Sequence, residues 1–247
     1  MKTISIKTLI GFVILTSCFS FTLKANDQMN KDVLLSSKEQ SIVSIAALTA
    51  KGDLLNLKTE LNNGLKSGLT INQIKEVLVH LYAYCGFPRS LRGLQTFMLV
   101  LDERKASGIT DIQGEEASPI QDERSKYERG KEILEKLTGA PQDGPKTGYA
   151  AFAPEIEIFL KEHLFADIFE RDVLSFSERE LVTISVLASL GGVEPMLRSH
   201  LGICLNVGLT PEKLHQFINI IKSTVGENEA RDAQVVLNEV LKNRPAK

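Results

Sequence analysis

The chain has 247 residues, 43% of them hydrophobic, a net charge of −2 and no tryptophan. That length supplies a sizeable core for two small domains or one fused pair, and the near-neutral balance leaves no basic patch to argue for nucleic acid. Leu, Ile, Val and Ala dominate, which suits packed helices better than a β-sandwich.

Residues 1–25 place Lys2 and Lys7 ahead of an apolar run, Thr8 to Leu23, that closes at Lys24-Ala25. So short a run at the N-terminus predicts a signal peptide rather than a membrane span. Leu15-Thr16-Ser17-Cys18 also resembles a bacterial lipoprotein box. Cleavage there would leave a lipidated Cys18 and a membrane tether, whereas cleavage after Ala25 would release the chain. Both routes predict export to the periplasm. Loss of 1–25, with three lysines and no acidic residue, moves the charge from −2 to −5. Two internal thiols, Cys85 and Cys204, remain, too few for a disulfide framework.

From there the chain reads as all-α. Ser36 to Glu39 supply cap-type residues ahead of an apolar run to Ala50, and Leu54 to Lys66 carries Leu at helical spacing up to a stop at Gly68. Thr70 with Gln73 forms a capping-box pattern that opens a helix from Ile71 to about Tyr84, ended by Gly86-Phe87-Pro88. A helix over Ser90 to Lys105 closes this unit. Residues 107–125 read as an exposed connector and 139–150, with Gly139, Pro141, Gly144 and Pro145, as a loop. A lead-in, Pro154 to Phe169, precedes further helices ending near Lys242.

The second half repeats the first. Glu39 to Leu48 reappears as Glu178 to Leu187 at an offset of 139, and Ser67-Gly68-Leu69-Thr70 as Val207-Gly208-Leu209-Thr210 at an offset of 140. A repeat this long predicts a duplicated helical domain, with copies at 30–106 and 151–243 joined by a connector at 107–150. The polar positions have diverged. Glu76, His80 and Tyr84, at i, i+4 and i+8, form an acid, imidazole and phenol stripe opposite an apolar stripe. It reads either as an acid–base wall or as a solvated helix face. In copy two the aligned residues are Gln216, Ile220 and Thr224, while His200 of copy two aligns with Glu60. His163 and His215 read as surface residues. No spacing suggests a metal site or a phosphate loop, so neither metal nor nucleotide cofactor is expected.

Leu69-Thr70 through Glu76 to Tyr84-Cys85-Gly86-Phe87-Pro88, and Arg179-Glu180-Leu181-Val182-Thr183 through His200 to Gly208-Leu209-Thr210, resemble the two ends of the carboxymuconolactone decarboxylase family motif. The family also contains alkylhydroperoxidase D-like proteins, and the resemblance covers nearly the whole mature chain as two fused copies. It implies a compact all-α unit that forms rings of six, so that a fused pair would assemble as a homotrimer. It also implies a site shared between copies, with His200, Glu76, Tyr84, Cys85 and His80 as catalytic candidates and Arg179, Glu60 and Cys204 as substrate-binding ones. Arg179 would hold a carboxylate and His200 would move a proton on a small carboxylated lactone or keto acid. The family's peroxidase branch uses a Cys-x-x-Cys ahead of its His, where this chain has Val193 and Met196. A thiol peroxidase using Cys85 and Cys204, or a non-catalytic small-molecule binding protein, are the alternatives. Export argues against the literal family substrate, whose metabolism is cytoplasmic.

Overall fold

The computed structural model describes residues 33–244. The signal peptide expected at 1–25, Cys18 included, lies outside them. The first copy contains α1 (Ser37–Lys51), α2 (Leu54–Lys66), α3 (Ile71–His80) and α4 (Tyr82–Ala106). Between the copies come α5 (Lys126–Thr138), the short α6 (Gly148–Phe152) and α7 (Pro154–Phe159), and a π-helix, Leu160–Phe169. The second copy follows with α8 (Phe176–Leu190), α9 (Glu194–Asn206), α10 (Pro211–Thr224) and α11 (Glu227–Asn243).

The repeat is visible in the caps. Ser36 opens α1 and Ser175 opens α8, each with a complete capping box closed by Glu39 or Glu178. Thr70 and Gln73 close the same box on α3, but on α10 only Thr210 accepts, since Lys213 has no acceptor to return. Residues 41–50 of α1 and 179–189 of α8 are buried on every side. That all-round burial marks central helices. Ile42, Ile45 and Ala46 of the one belong to the same core cluster as Leu181, Ile184 and Leu187 of the other. Thus the two copies share one core.

Three expectations change. The third helix stops at His80 rather than Tyr84, because the chain tightens at Leu81, whose N–H reaches the carbonyls of both Val77 and Val79. Tyr84 then sits on a separate turn ahead of Gly86, which takes φ 80° and ψ 160°, a conformation costly for any residue with a Cβ. Pro88 falls just past this corner, where the resumed helix needs no N–H. Secondly, the connector is strapped down: Ile71 and Asn72 at the start of α3 donate their backbone N–H groups to the carbonyls of Ile112 and Gln113. These are donors that the helix itself leaves unpaired. Thirdly, the segment read as connector contains a helix. α5 carries its own capping box, Ser125 with Glu128, and lies so close to the π-helix that a Cβ on Gly130 would stand 1.7 Å from the Lys161 carbonyl oxygen. α5 and the π-helix build a second apolar cluster from Ile133, Leu137, Phe165 and Phe169, joined by Ile203 of α9.

Candidate functional site

α3 and the Tyr84 turn of copy one face α8 and α9 of copy two. Glu76 is 3% and His80 0% exposed, so the stripe that could have faced water is buried between the copies. The Glu76 carboxylate accepts from Arg171 Nε and Nη2 at 3.0–3.1 Å and from Arg179 Nη2 at 2.7 Å. Arg179, fully buried, also donates from Nη2 to the Arg171 carbonyl (2.6 Å) and from Nη1 to His80 Nδ1 (3.2 Å). Burial lowers the Arg179 pKa and Glu76 opposes that shift. Both edges of a guanidinium that can grip a carboxylate with two parallel bonds include Nη2, and here both Nη2 protons are committed. The bidentate grip expected of Arg179 is therefore closed off, and Nε is left without a partner.

Both His80 nitrogens are engaged as well. Because a guanidinium only donates, Nδ1 must be the acceptor, which puts the proton on Nε2, 3.0 Å from Thr183 Oγ1. Thr183 in turn donates to the Arg179 carbonyl at 3.0 Å. Burial first, then the Arg179 and His200 charges, hold the His80 pKa well below its ordinary value. A neutral imidazole tied at both ends positions its neighbours and keeps no nitrogen for a substrate. Phe169 of the π-helix covers it edge-on, with ring centroids 5.0 Å apart.

His200 differs. Its Nδ1 lies 2.8 Å from Glu180 Oε2, and its side chain keeps 15% exposure while Glu180 has none. A carboxylate on Nδ1 fixes the ring and leaves Nε2 as the atom for proton exchange. The Tyr84 ring stands edge-on to His200 at 5.7 Å and tilted to His80 at 5.5 Å. Its phenol is pushed upward by burial and by the Glu180 charge, so it stays protonated. Tyr84 Oη, Arg179 Nε and Glu180 Oε1 are buried polar atoms that make no well-formed hydrogen bond among the described residues, the phenol lying close to Thr183. Such atoms are scarce in folded proteins, and three around one histidine leave donor and acceptor capacity in the site that the packed side chains do not use.

The thiols are poor nucleophiles. Cys85 Sγ donates to the Leu81 carbonyl at 3.2 Å and burial raises its pKa to about 11, while burial and then Glu180 push the fully buried Cys204 well above the usual thiol range. Glu60 is not in this site. It lies on α2, in a separate cleft of about 570 Å³ with Gln40, Ser41, Ser44 and Thr224. Sequence reading missed Glu180, Thr183 and Arg171 as members of the site. For Glu180 a signal was available, since only one copy has an acid at that position, the other having Ser41. Among the described residues no group of three or more His, Cys, Asp or Glu is placed to hold a metal ion.

Fold and site together define a tandem all-α protein whose two copies enclose an acid–base cluster. The family model described as "Carboxymuconolactone decarboxylase family" matches residues 20–97 and 154–239, more than half the chain, and the protein belongs to that family. It is also similar to a 4-carboxymuconolactone decarboxylase of Acinetobacter baylyi, at 27% identity over 122 residues. The similarity takes in 49% of this chain and 90% of the relative.

Proposed function

We propose that the protein is a decarboxylase-like enzyme acting on a small carboxylated lactone or keto acid by acid–base chemistry at His200. The observation that carries this reading is the held dyad, Glu180 on His200 Nδ1, beside three unpartnered polar atoms. The substrate anion would be drawn to the Arg179 and Arg171 charges and accept one hydrogen bond from Arg179 Nε. As the carbon–carboxyl bond breaks, its electron pair would move into the conjugated carbonyl, where the protonated Tyr84 phenol donates to the growing oxygen charge. An imidazolium at His200, its Nδ1–H held by Glu180, would give its Nε2 proton to the carbon and take a replacement from solvent, so that carbon dioxide is the one group lost. Glu76 and His80 hold the arginines and the π-helix aromatic in place. Thiol peroxidase chemistry draws no support from either cysteine, since a working thiolate needs a lowered pKa and access.

The test is turnover of 4-carboxymuconolactone and related lactones, followed in the ultraviolet. His200→Ala should cost about 10²- to 10⁴-fold, and Tyr84→Phe about 10²-fold, with the helical circular dichroism unchanged. Substrate loss at the same rate in His200→Ala would refute the assignment.

We also propose that the chain assembles as a homotrimer. Phe87, Leu91 and Met98 lie within one narrow stripe of α4 and are 62%, 52% and 64% exposed. An exposed apolar stripe of this kind supports an association surface, and the number three follows from the family resemblance. Light scattering should give the mass of three chains, and a monomer at micromolar concentration would exclude this.

A further inference from the structure

The duplication generates a second place where the helices meet in the same way, α1 and α2 of copy one against α10 of copy two. Position by position, Arg179, Glu180, Thr183, His200, His80 and Tyr84 are answered there by Gln40, Ser41, Ser44, Glu60, Ile220 and Thr224. All six of these line the 570 Å³ cleft. Most are smaller than their counterparts, so space filled by interlocked side chains in the first site is open in the second. The volume is that of a small-molecule pocket.

The rim changes in the same sense. Around the first site Phe176, Ile203 and Val207 pack under α5 and the π-helix as part of the second apolar cluster. Their counterparts are Ser37, Asn63 and Ser67, all three lining the cleft. Polar residues at the three positions that carry an apolar cover elsewhere fit a polar occupant. The floor is also polar: Ser41 and Ser44 are 7% and 8% exposed, and Ser41 Oγ lies 3.2 Å from Ser67 Oγ. Asn63 Nδ2 donates to Glu60 Oε1 at 3.0 Å, orienting the carboxylate. Glu60 is the one charged residue among those that line the cleft. A carboxylate with no ion-pair partner among the described residues, ringed by hydroxyls and amides, repels the anion that the first site would attract.

We propose that this cleft is a second ligand site, selective for a small hydroxylated cation of the amino-sugar type, its ammonium on Glu60 and its hydroxyls on the serines and amides. The site is independent of the chemistry at His200.

Titration calorimetry and ligand-observed NMR on the full chain, with glucosamine, glucose and glucuronate as probes, test this. Saturable glucosamine binding is expected, with glucose roughly tenfold or more weaker and no binding of glucuronate. Glu60→Gln should bring glucosamine to the level of glucose, Ser44→Leu should block the floor and abolish binding, and His200→Ala should leave it unchanged. If Ser44→Leu does not fold, Glu60→Gln, at a half-buried position, carries the test. The proposal is overturned if glucosamine shows no saturable binding, if glucuronate or glucose binds equally well, or if Glu60→Gln leaves affinity unchanged.

Discussion

The two meeting places of the copies are built from equivalent helices and have opposite characters. In one, two arginines, a glutamate and a histidine lock together under an aromatic cover, and only His200 keeps appreciable exposure among His200, Glu180, Glu76, His80 and Arg179. In the other, the aligned positions hold glutamine, serine, isoleucine and threonine around an open cleft. Duplication supplied two copies of one scaffold, and because each site draws helices from both copies, a substitution in one copy alters one site alone. The ionised groups could thus gather in one place while the other was left with Glu60 alone.

The sharpest way to break this contrast is to make the first site resemble the second. Arg179→Gln, the residue at the aligned position 40, would leave Glu76 short of its buried partner and remove the donor that fixes His80. We expect a loss of about 2–3 kcal/mol of stability in urea denaturation, below the full penalty for half of a buried ion pair because Arg171 still grips Glu76. A loss below about 1 kcal/mol would mean that the ion cluster does not hold the copies together.

A second difference is pH sensitivity, since the cleft has Ile220 where the first site has His80. His80 faces Arg179, His200 and Thr183, with Phe169 over its ring, and its folded pKa lies well below the ordinary 6.5. The unfolded chain therefore binds this proton first, and the stability due to neutral His80 is complete above pH 6.5 and is lost as pH falls below it. The slope should approach about 1.4 kcal/mol per pH unit. Carboxylates with lowered values, Glu39 among them, lose their contributions only below about their ordinary 4.5, so the interval between reports on the histidine. Stability independent of pH from 4.5 to 6.5 would show that His80 is not held neutral.

The smallest expected effect concerns the thiols flanking the first site. With Cys85 raised to about 11 and Cys204 fully buried, a disulfide reagent at neutral pH should label Cys85 slowly and Cys204 only after unfolding. Rapid labelling of Cys204 in the folded protein would reopen thiol chemistry.

Much of this was legible in the chain. Capping residues at Ser36 and Thr70, helical spacing of Leu and Ile, and the 139-residue offset determine local structure and the repeat, because these are nearest-neighbour and periodic effects. The motif residues also singled out Glu76, Tyr84, Arg179 and His200 before any contact was known. Partnership was not legible. That Arg179 commits its fork to Glu76 and a carbonyl, that His80 is tied at both nitrogens, that Glu180 holds His200, and that Glu60 stands in a different cleft are set by contacts between residues 8 to 103 positions apart, most of them far apart. Pairing at such distances depends on how the two copies dock around their shared core. Sequence therefore determined the duplicated helical unit and its chemical inventory, and tertiary structure decided which charges neutralise one another and which atoms remain free to react.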